Sequence, residues 1–270
     1  MYSGRQPTPA RWDPTTYAAF AYHRSRPFFD LLGRVLVEDP DEVVDLGCGS
    51  GGLTATLADR WPAARVLGVD NSPDMLQQAA TQAHERLSFS SADLTTYLPP
   101  RSARVVVSNA AYQWVPDHAP LLQAIAEQLP RDGWLAVQVP GNFDSPSHRA
   151  IRDQVAETRW QEATGGLRLR PDPVLTPAQY TALLVDAGLL PDVWETTYQQ
   201  VLTGDGPVLG WVRGTALRPV LTALPPDLHE PFLSELGDRL RNAYPATGSG
   251  DGRRTVFAFR RIFLVGHRPA

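Results

Sequence analysis

Apolar residues gather in short, strand-like runs, separated by longer stretches in which they recur at helical spacing. The runs are Val43-Val44, Arg65-Val66-Leu67-Gly68-Val69, Leu87-Ser88-Phe89-Ser90, Val105-Val106-Val107-Ser108, Trp134 to Val139, Val193 to Val201 and Val256 to Val265. Leu53 to Trp61 and Tyr180 to Ala187 read as helices, the second ended by Gly188, and Ser72-Pro73 reads as an N-cap followed by a first helical residue. Strands alternating with helices in this way predict an α/β protein built on a doubly wound sheet. The sheet is expected in residues 37–140, 178–203 and 254–268 of a single domain. Residues 12–36, 141–177 and 204–252 fall outside it and are expected to form a helical cap that acts as a lid. The last of these holds two helical patterns, Val208 to Leu224 and Pro226 to Tyr244.

The first strand ends in Asp45-Leu46-Gly47-Cys48-Gly49-Ser50-Gly51-Gly52. Glycines there let the backbone turn sharply and approach a ligand closely, which points to a nucleotide-like molecule at the carboxyl end of the strand. Gly47, Gly49 and Gly52 also satisfy the dinucleotide spacing, so the glycines alone leave the ligand open. Asp45 narrows the choice. A carboxylate aimed into the turn would repel a pyrophosphate, whereas it would attract an ammonium group. Asp70 closes the second strand and can accept both hydroxyls of a ribose, whichever nucleoside is bound.

The stretch Asp45 to Gly51 resembles the first motif of class I S-adenosylmethionine-dependent methyltransferases. The resemblance implies a Rossmann-like sheet of seven strands, with the seventh antiparallel and inserted beside the sixth. It implies S-adenosylmethionine as cofactor, S-adenosylhomocysteine as product, and a cofactor site formed by Asp45, Gly47, Gly49, Gly51, Asp70, Asn71, Asp93, Leu94 and Asn109. Asp93 would then accept from the adenine amino group; its alternative reading is an ordinary loop aspartate.

Composition trims the alternatives. The chain has 270 residues, 43% of them hydrophobic, and no apolar run approaches the roughly 20 needed to span a bilayer. Met1 to Arg11 lacks the apolar centre of a secretory signal. Cys48 is the only cysteine, which leaves no internal disulfide and makes a cytoplasmic location the expectation. A formal net charge of −4 without a basic run argues against nucleic acid as partner. All 25 positive side chains are arginine, so Schiff-base chemistry and the Tyr-x-x-x-Lys pair of short-chain dehydrogenases are absent. The histidines lack metal-ligand spacing, and no metal is expected. A monomer is the expected state.

Outside the cofactor motifs, Trp12-Asp13-Pro14, Arg24-Ser25-Arg26-Pro27, Arg60-Trp61-Pro62-Ala63-Ala64-Arg65, Gln113-Trp114, Leu217-Arg218-Pro219 and Arg261-x-Phe263 resemble the trans-aconitate 2-methyltransferase family almost end to end. The resemblance implies methyl esterification of one carboxylate of a small tricarboxylic acid. A carboxylate, with a pKa of about 4, is already nucleophilic at neutral pH, so no acid–base residue is required and positioning is the task. Tyr17, Arg26, Gln113, Trp114, Arg218, Tyr244 and Arg261 are the candidate acceptor contacts, with the arginines holding carboxylates that do not react. Arg218 also reads as a helix C-terminal cap, Arg26 as a surface residue, and Trp114 and Trp211 as core fillers. Phe257, Phe259, Arg261 and Phe263 share one strand face by alternation. Three rivals stay in view: a carboxyl methyltransferase for a malonyl-type carrier thioester, a nicotinamide oxidoreductase, and a non-catalytic binding module on the same fold. The last would be expected to lose the acids that are present here at 45, 70 and 93.

Overall fold

The computed structural model describes residues 21–248 and 252–270, with the side chains of residues 21–24 excepted. Tyr17 and Trp12-Asp13-Pro14 therefore lie outside the described residues. Pro146–Leu169 and Leu202–Thr255 form one compact unit, and the remainder of the described chain forms another.

The larger unit is built on a seven-stranded sheet in the order β3-β2-β1-β4-β5-β7-β6. Its strands are β1 (Glu42–Leu46), β2 (Arg65–Asp70), β3 (Leu87–Ser91), β4 (Val105–Asn109), β5 (Trp134–Pro140), β6 (Leu190–Thr203) and β7 (Arg254–His267). β1 pairs in parallel with β2 and β4, and β4 with β5. β7 runs antiparallel to β5 and lies between it and β6, as the family resemblance implied. The strand order reverses between β1 and β4, the place where open α/β sheets open a crevice at their carboxyl ends.

Continuous apolar runs suit strands covered on both sides. On one face Val44, Val106, Leu135 and Val137 pack with helices α4 (Ala119–Gln128) and α7 (Pro177–Asp186) through Leu122, Ile125, Tyr180 and Leu184. On the other, Val43, Val107, Ala136 and Phe263 pack with α1 (Ala21–Leu32) and α2 (Gly52–Arg60) through Phe28, Leu31 and Leu57. Residues 21–32, which the sequence grouped with the cap, thus form a covering layer of the sheet. A short α3 (Pro73–Ala79) follows the expected Ser72 cap, whose hydroxyl accepts from Met75 N–H. A reciprocal capping box between Thr176 and Gln179 starts α7, and Gly188, at φ 76°, ends it.

The smaller unit is helical: α5 (Pro146–Ala156), α6 (Thr158–Ala163), α8 (Pro207–Arg213), α9 (Arg218–Ala223) and α10 (His229–Ala243). Trp160 meets Phe232 edge to face at 5.0 Å, and Gln154 Nε2 donates to Phe232 O at 2.9 Å. Trp211 is fully buried in this unit, the core role the sequence allowed it. The helical pattern from Val208 to Leu224 is broken in two by a turn at Gly214–Leu217, where Leu217 N–H reaches back to Val212 O. Arg218 therefore opens a helix. The alternative reading of it as a C-terminal cap is corrected, because the preceding helix has already ended at Arg213.

Candidate active site

The turn after β1 is held by backbone geometry. Gly47 N–H and Cys48 N–H both donate to Val69 O, which fastens the loop to the end of β2. Gly47 has φ 83°, and a Cβ there would lie 2.3 Å from Ala111 Cβ, so no side chain fits. Gly49, at φ 55°, has nothing within 4 Å of where its Cβ would be, leaving its backbone open to a ligand. Gly51 answers a packing demand as well as the one its motif implied. A Cβ there would meet Phe89 Cζ at 2.7 Å and Ala79 Cβ at 2.9 Å, so packing alone requires a glycine at that point. The N-terminus of α2 has no side-chain cap, and its amide donors face this turn.

Two carboxylates flank the loop. Asp45 is 3% exposed, and its Oδ2 accepts from the Thr54 hydroxyl at 2.6 Å, a partner the sequence did not mark. Burial pushes the Asp45 carboxyl up to about 6; the Thr54 hydrogen bond opposes this and the charge of Asp70 adds to it. The two oxygens of Asp70 accept from Gly49 N–H and Ser72 N–H, each at 2.9 Å, so this acid joins the glycine turn to the next one. Asn71 is exposed beside it. Asp93 is exposed, and its Oδ1 accepts from Thr95 N–H at 2.9 Å, the Asx-type turn of a loop aspartate. Leu94 leans toward Gly47, with Cδ1 3.6 Å from the position of a Cβ there.

Past β4, Ala110 adopts φ 56°, a left-handed conformation unusual for a residue with a side chain, and Ala110 N–H donates to Gln138 O at 2.8 Å. The strained turn sends the chain into a short 3-10 helix, Tyr112–Trp114. Gln113 Nε2 donates to Ala110 O, while Gln113 Oε1 and Asn109 Oδ1 are buried without a partner among the described residues. Trp114 is 45% exposed, which rules out the core-filler reading for it.

A pattern emerges across the carboxyl edge. Alternation places Val43 and Asp45 on the same sheet face as Val107 and Asn109, Ala136 and Gln138, Phe263 and Arg261, and Tyr198 and Gln200. In every strand the apolar member lies inward and the polar member at the carboxyl edge. Arg261 is 4% exposed. Its Nη1 donates to Gln138 Oε1 at 2.9 Å, and its guanidinium lies 4.7 Å from the Phe259 ring centre. Arg26, on α1, sits 5.1 Å over the Tyr198 ring and pairs with Asp30 at 3.8 Å; its side chain is 63% exposed, as the surface reading held. The Tyr198 hydroxyl donates to Asp30 Oδ2 at 2.6 Å. Burial first, and then Asp30, push the Tyr198 hydroxyl pKa up against the pull of Arg261 and Arg26. Two sequence-selected arginines, 26 and 261, thus converge on one tyrosine that was not selected.

Arg218, half-buried, and Tyr244 belong to the helical unit, where the Tyr244 hydroxyl accepts from Ser147 N–H at 3.1 Å. Burial lowers the pKa of Arg218. Sequence reading passed over Thr54, Gln138 and Tyr198. Gln138 alone carried a local signal, being a polar residue inside the buried run Trp134 to Val139.

Residues 43–133 match the model of a methyltransferase domain. Among solved structures, the YcgJ protein of Bacillus subtilis covers 92% of this chain and 99% of its own, at 15% identity and a TM-score of 0.55. Haemonchus contortus phosphoethanolamine N-methyltransferase 2, solved with S-adenosyl-L-methionine, covers 91% of this chain and 53% of its own, at 17% identity and a TM-score of 0.51. These likenesses speak to the fold. Sequence relatives are much nearer. The trans-aconitate 2-methyltransferase of Streptomyces avermitilis is 49% identical, across 96% of this chain and 97% of the relative. Those of Rhodococcus jostii and Mycobacterium tuberculosis are 49% and 44% identical, each across 94% of this chain and across 98% and 95% of the respective relative. With identity of this level running nearly end to end, through the sheet edge described above, the chain belongs to the trans-aconitate 2-methyltransferase family.

Proposed function

We propose that this protein transfers a methyl group from S-adenosylmethionine to a carboxylate of trans-aconitate or a closely related small polycarboxylic acid. The products are a monomethyl ester and S-adenosylhomocysteine. The observation that carries the reading is the polar row on one sheet face, which begins at buried Asp45 and runs to the buried Arg261.

The residues at the first end of the row fit the cofactor. A carboxyl group buried as deeply as Asp45 resists ionisation, and a ligand ammonium would stabilise its charged form. The open side of Gly49 admits a ligand against the backbone, the α2 amides suit a carboxylate, and Asp70 stands where a ribose would present its hydroxyls. When bound, S-adenosylmethionine supplies an electrophilic methyl group on a sulfonium sulfur. The other end of the row suits an anion. Gln138 Oε1 fixes the Arg261 guanidinium, and a planar, preoriented fork is adapted to gripping a carboxylate. An arginine on the attacking oxygens would blunt them, so Arg261 and Arg26 are assigned to carboxylates that stay unmethylated. Asn109, Gln113 and Trp114, between the two ends, are assigned to orienting the reacting group. Such alignment can supply on the order of 7–11 kcal/mol without any general base. Tyr17, Arg218 and Tyr244 remain proposed contacts on the resemblance alone, as do the helical cap acting as a lid and the monomeric state. No helix among the described residues is long and apolar enough to cross a membrane, and a cytoplasmic location is proposed with the activity.

The test is methyl transfer from isotope-labelled S-adenosylmethionine to a panel of di- and tricarboxylic acids, with product hydrolysis in base. Base-labile label on trans-aconitate supports the reading. Label on no acid, with the cofactor still bound, would overturn the acceptor while leaving the fold intact.

A further inference from the structure

We propose that His118 is a positioning residue for the acceptor: by accepting from the Tyr180 hydroxyl it locks the turn that carries Gln113 and Trp114. This rests on the function proposed above. Residues 110–118 link β4 to α4. Three non-glycine residues among those described have positive φ, and two of them, Ala110 at 56° and Asp117 at 48°, bound this turn. Such conformations are unfavourable and persist where the surroundings hold them. At the first end the hold is backbone, Ala110 N–H on Gln138 O. At the second it is a side chain.

His118 is 3% exposed, and its ring stacks on that of Tyr180 with centroids 6.0 Å apart. Nε2 lies 2.8 Å from the Tyr180 hydroxyl. Tyr180 is a fixed post: it is fully buried in α7, and its oxygen accepts from Leu175 N–H at 3.4 Å. His118 Nδ1 is buried without a well-aligned partner among the described residues, and the Val115 backbone favours a proton on it. The hydrogen therefore sits on Nδ1, and Nε2 accepts from the tyrosine. Burial holds the ring below the usual histidine range; the Val115 backbone opposes this, Arg170 adds to it and Asp117 opposes it again. An imidazole so placed is uncharged at neutral pH and keeps the lone pair that the bond needs. The same ring lies 6.1 Å from that of Tyr112, the fully buried first residue of the 3-10 helix whose other members are Gln113 and Trp114. His118 thus joins the root of the acceptor turn to α7. Packing alone would be met by an apolar side chain, as it is by Val115 and Leu122 in the same cluster. What the neutral imidazole adds is a directed bond, which fixes one position for the turn.

The test compares His118→Leu, which fills the space and accepts nothing, with His118→Gln, whose amide oxygen can reach the place of Nε2. Acceptor KM and kcat at saturating S-adenosylmethionine, the Kd of S-adenosylhomocysteine, and stability against pH are measured. His118→Leu should lower kcat/KM for trans-aconitate roughly 10- to 100-fold, the scale of a misplaced orienting group, with the cofactor Kd within about twofold. His118→Gln should restore kcat/KM to within about threefold of the wild type, because the directed bond is kept. Its stability should also respond less to acid. The unfolded chain takes up the histidine proton below about 6.5 while the folded ring resists it, so the wild type loses stability as pH falls from there and the glutamine variant escapes that part of the loss. Should the leucine variant fail to fold, Tyr180→Phe, which keeps the ring and removes the hydroxyl, carries the same kinetic expectation. A folded His118→Leu or Tyr180→Phe protein with kcat/KM within twofold of the wild type overturns the inference and leaves the proposed function standing. A glutamine variant as impaired as the leucine one does so too, as does a cofactor Kd that weakens in step with kcat/KM. Failure of the wild type to methylate any polycarboxylate overturns both.

Discussion

The two halves of the sheet's carboxyl edge are made by different means. At β1 and β2 the site is mostly backbone: a turn at positive φ, amide groups pointing outward, and two acids that hold or face it. At β5, β7 and β6 it is mostly side chain: Gln138, Arg261 and Tyr198, brought together by strand order. Gly47 and Gly51 in the first half admit no side chain, because their constraint is steric. The second can be altered one group at a time without moving the main chain. Cofactor binding and acceptor selection should therefore be separable by mutation.

The harshest break is Gly47→Ala. Its Cβ would fall 2.3 Å from Ala111 Cβ at φ 83°, and a clash with strain of this kind costs about 2–4 kcal/mol. Denaturant unfolding should show that loss, and calorimetry should find no binding of S-adenosylhomocysteine. Adding Ala111→Gly should recover part of the stability, since it removes the clash while leaving the backbone strain.

Next is Asp45→Asn, expected to weaken cofactor binding at pH 7.5 by roughly 100-fold or more through loss of the charge facing an ammonium. The sign on stability is opposite. The folded apo protein holds Asp45 near 6, above the 3.8 of a free aspartyl group. Protonation thus favours the fold, and this contribution, complete at low pH, fades as pH rises through about 6. The Asn variant escapes the loss, so without cofactor it should melt above the wild type at pH 7.5. Cofactor affinity of the wild type should fall about tenfold per pH unit below about 6, whereas the Asn variant should be flat.

Arg261→Lys probes the other half. Replacing a fork held by Gln138 with a point charge should raise acceptor KM roughly 30- to 100-fold, read from initial rates at saturating cofactor. Thr54→Val returns to the first half with a smaller effect. Losing the hydroxyl that restrains the Asp45 pKa should move the acid limb of cofactor binding to higher pH and weaken binding about 3- to 10-fold at pH 7. Arg26→Ala should change least. Its ion pair with Asp30 is exposed, so stability should shift by no more than about 0.5 kcal/mol, with acceptor KM rising only a few-fold.

The same contrast explains what the sequence disclosed. Gly47, Gly49, Asp45 and Asp70 are legible because each answers a demand set within a few residues: a turn, a close approach, the end of a strand. The buried Arg261 was legible too, because it interrupts phenylalanines on one strand face. The packing demand on Gly51 was not legible, since the ring of Phe89 that requires a glycine there belongs to another strand. Gln138 and Tyr198 escaped notice because their meaning depends on β7 entering between β5 and β6, which no local stretch records. Thr54 looked like an ordinary helix residue until the fold turned its hydroxyl onto Asp45. The break at Gly214–Leu217 was hidden by apolar spacing that continues through it.

The separation of the two halves is tested most directly by titrating S-adenosylhomocysteine into Arg261→Lys at pH 7.5, alongside its acceptor KM. The account predicts a cofactor Kd within about threefold of the wild type while KM rises at least about 30-fold. A Kd that weakens in step with KM would show that the arginine supports the cofactor as well, and would contradict the division of the edge.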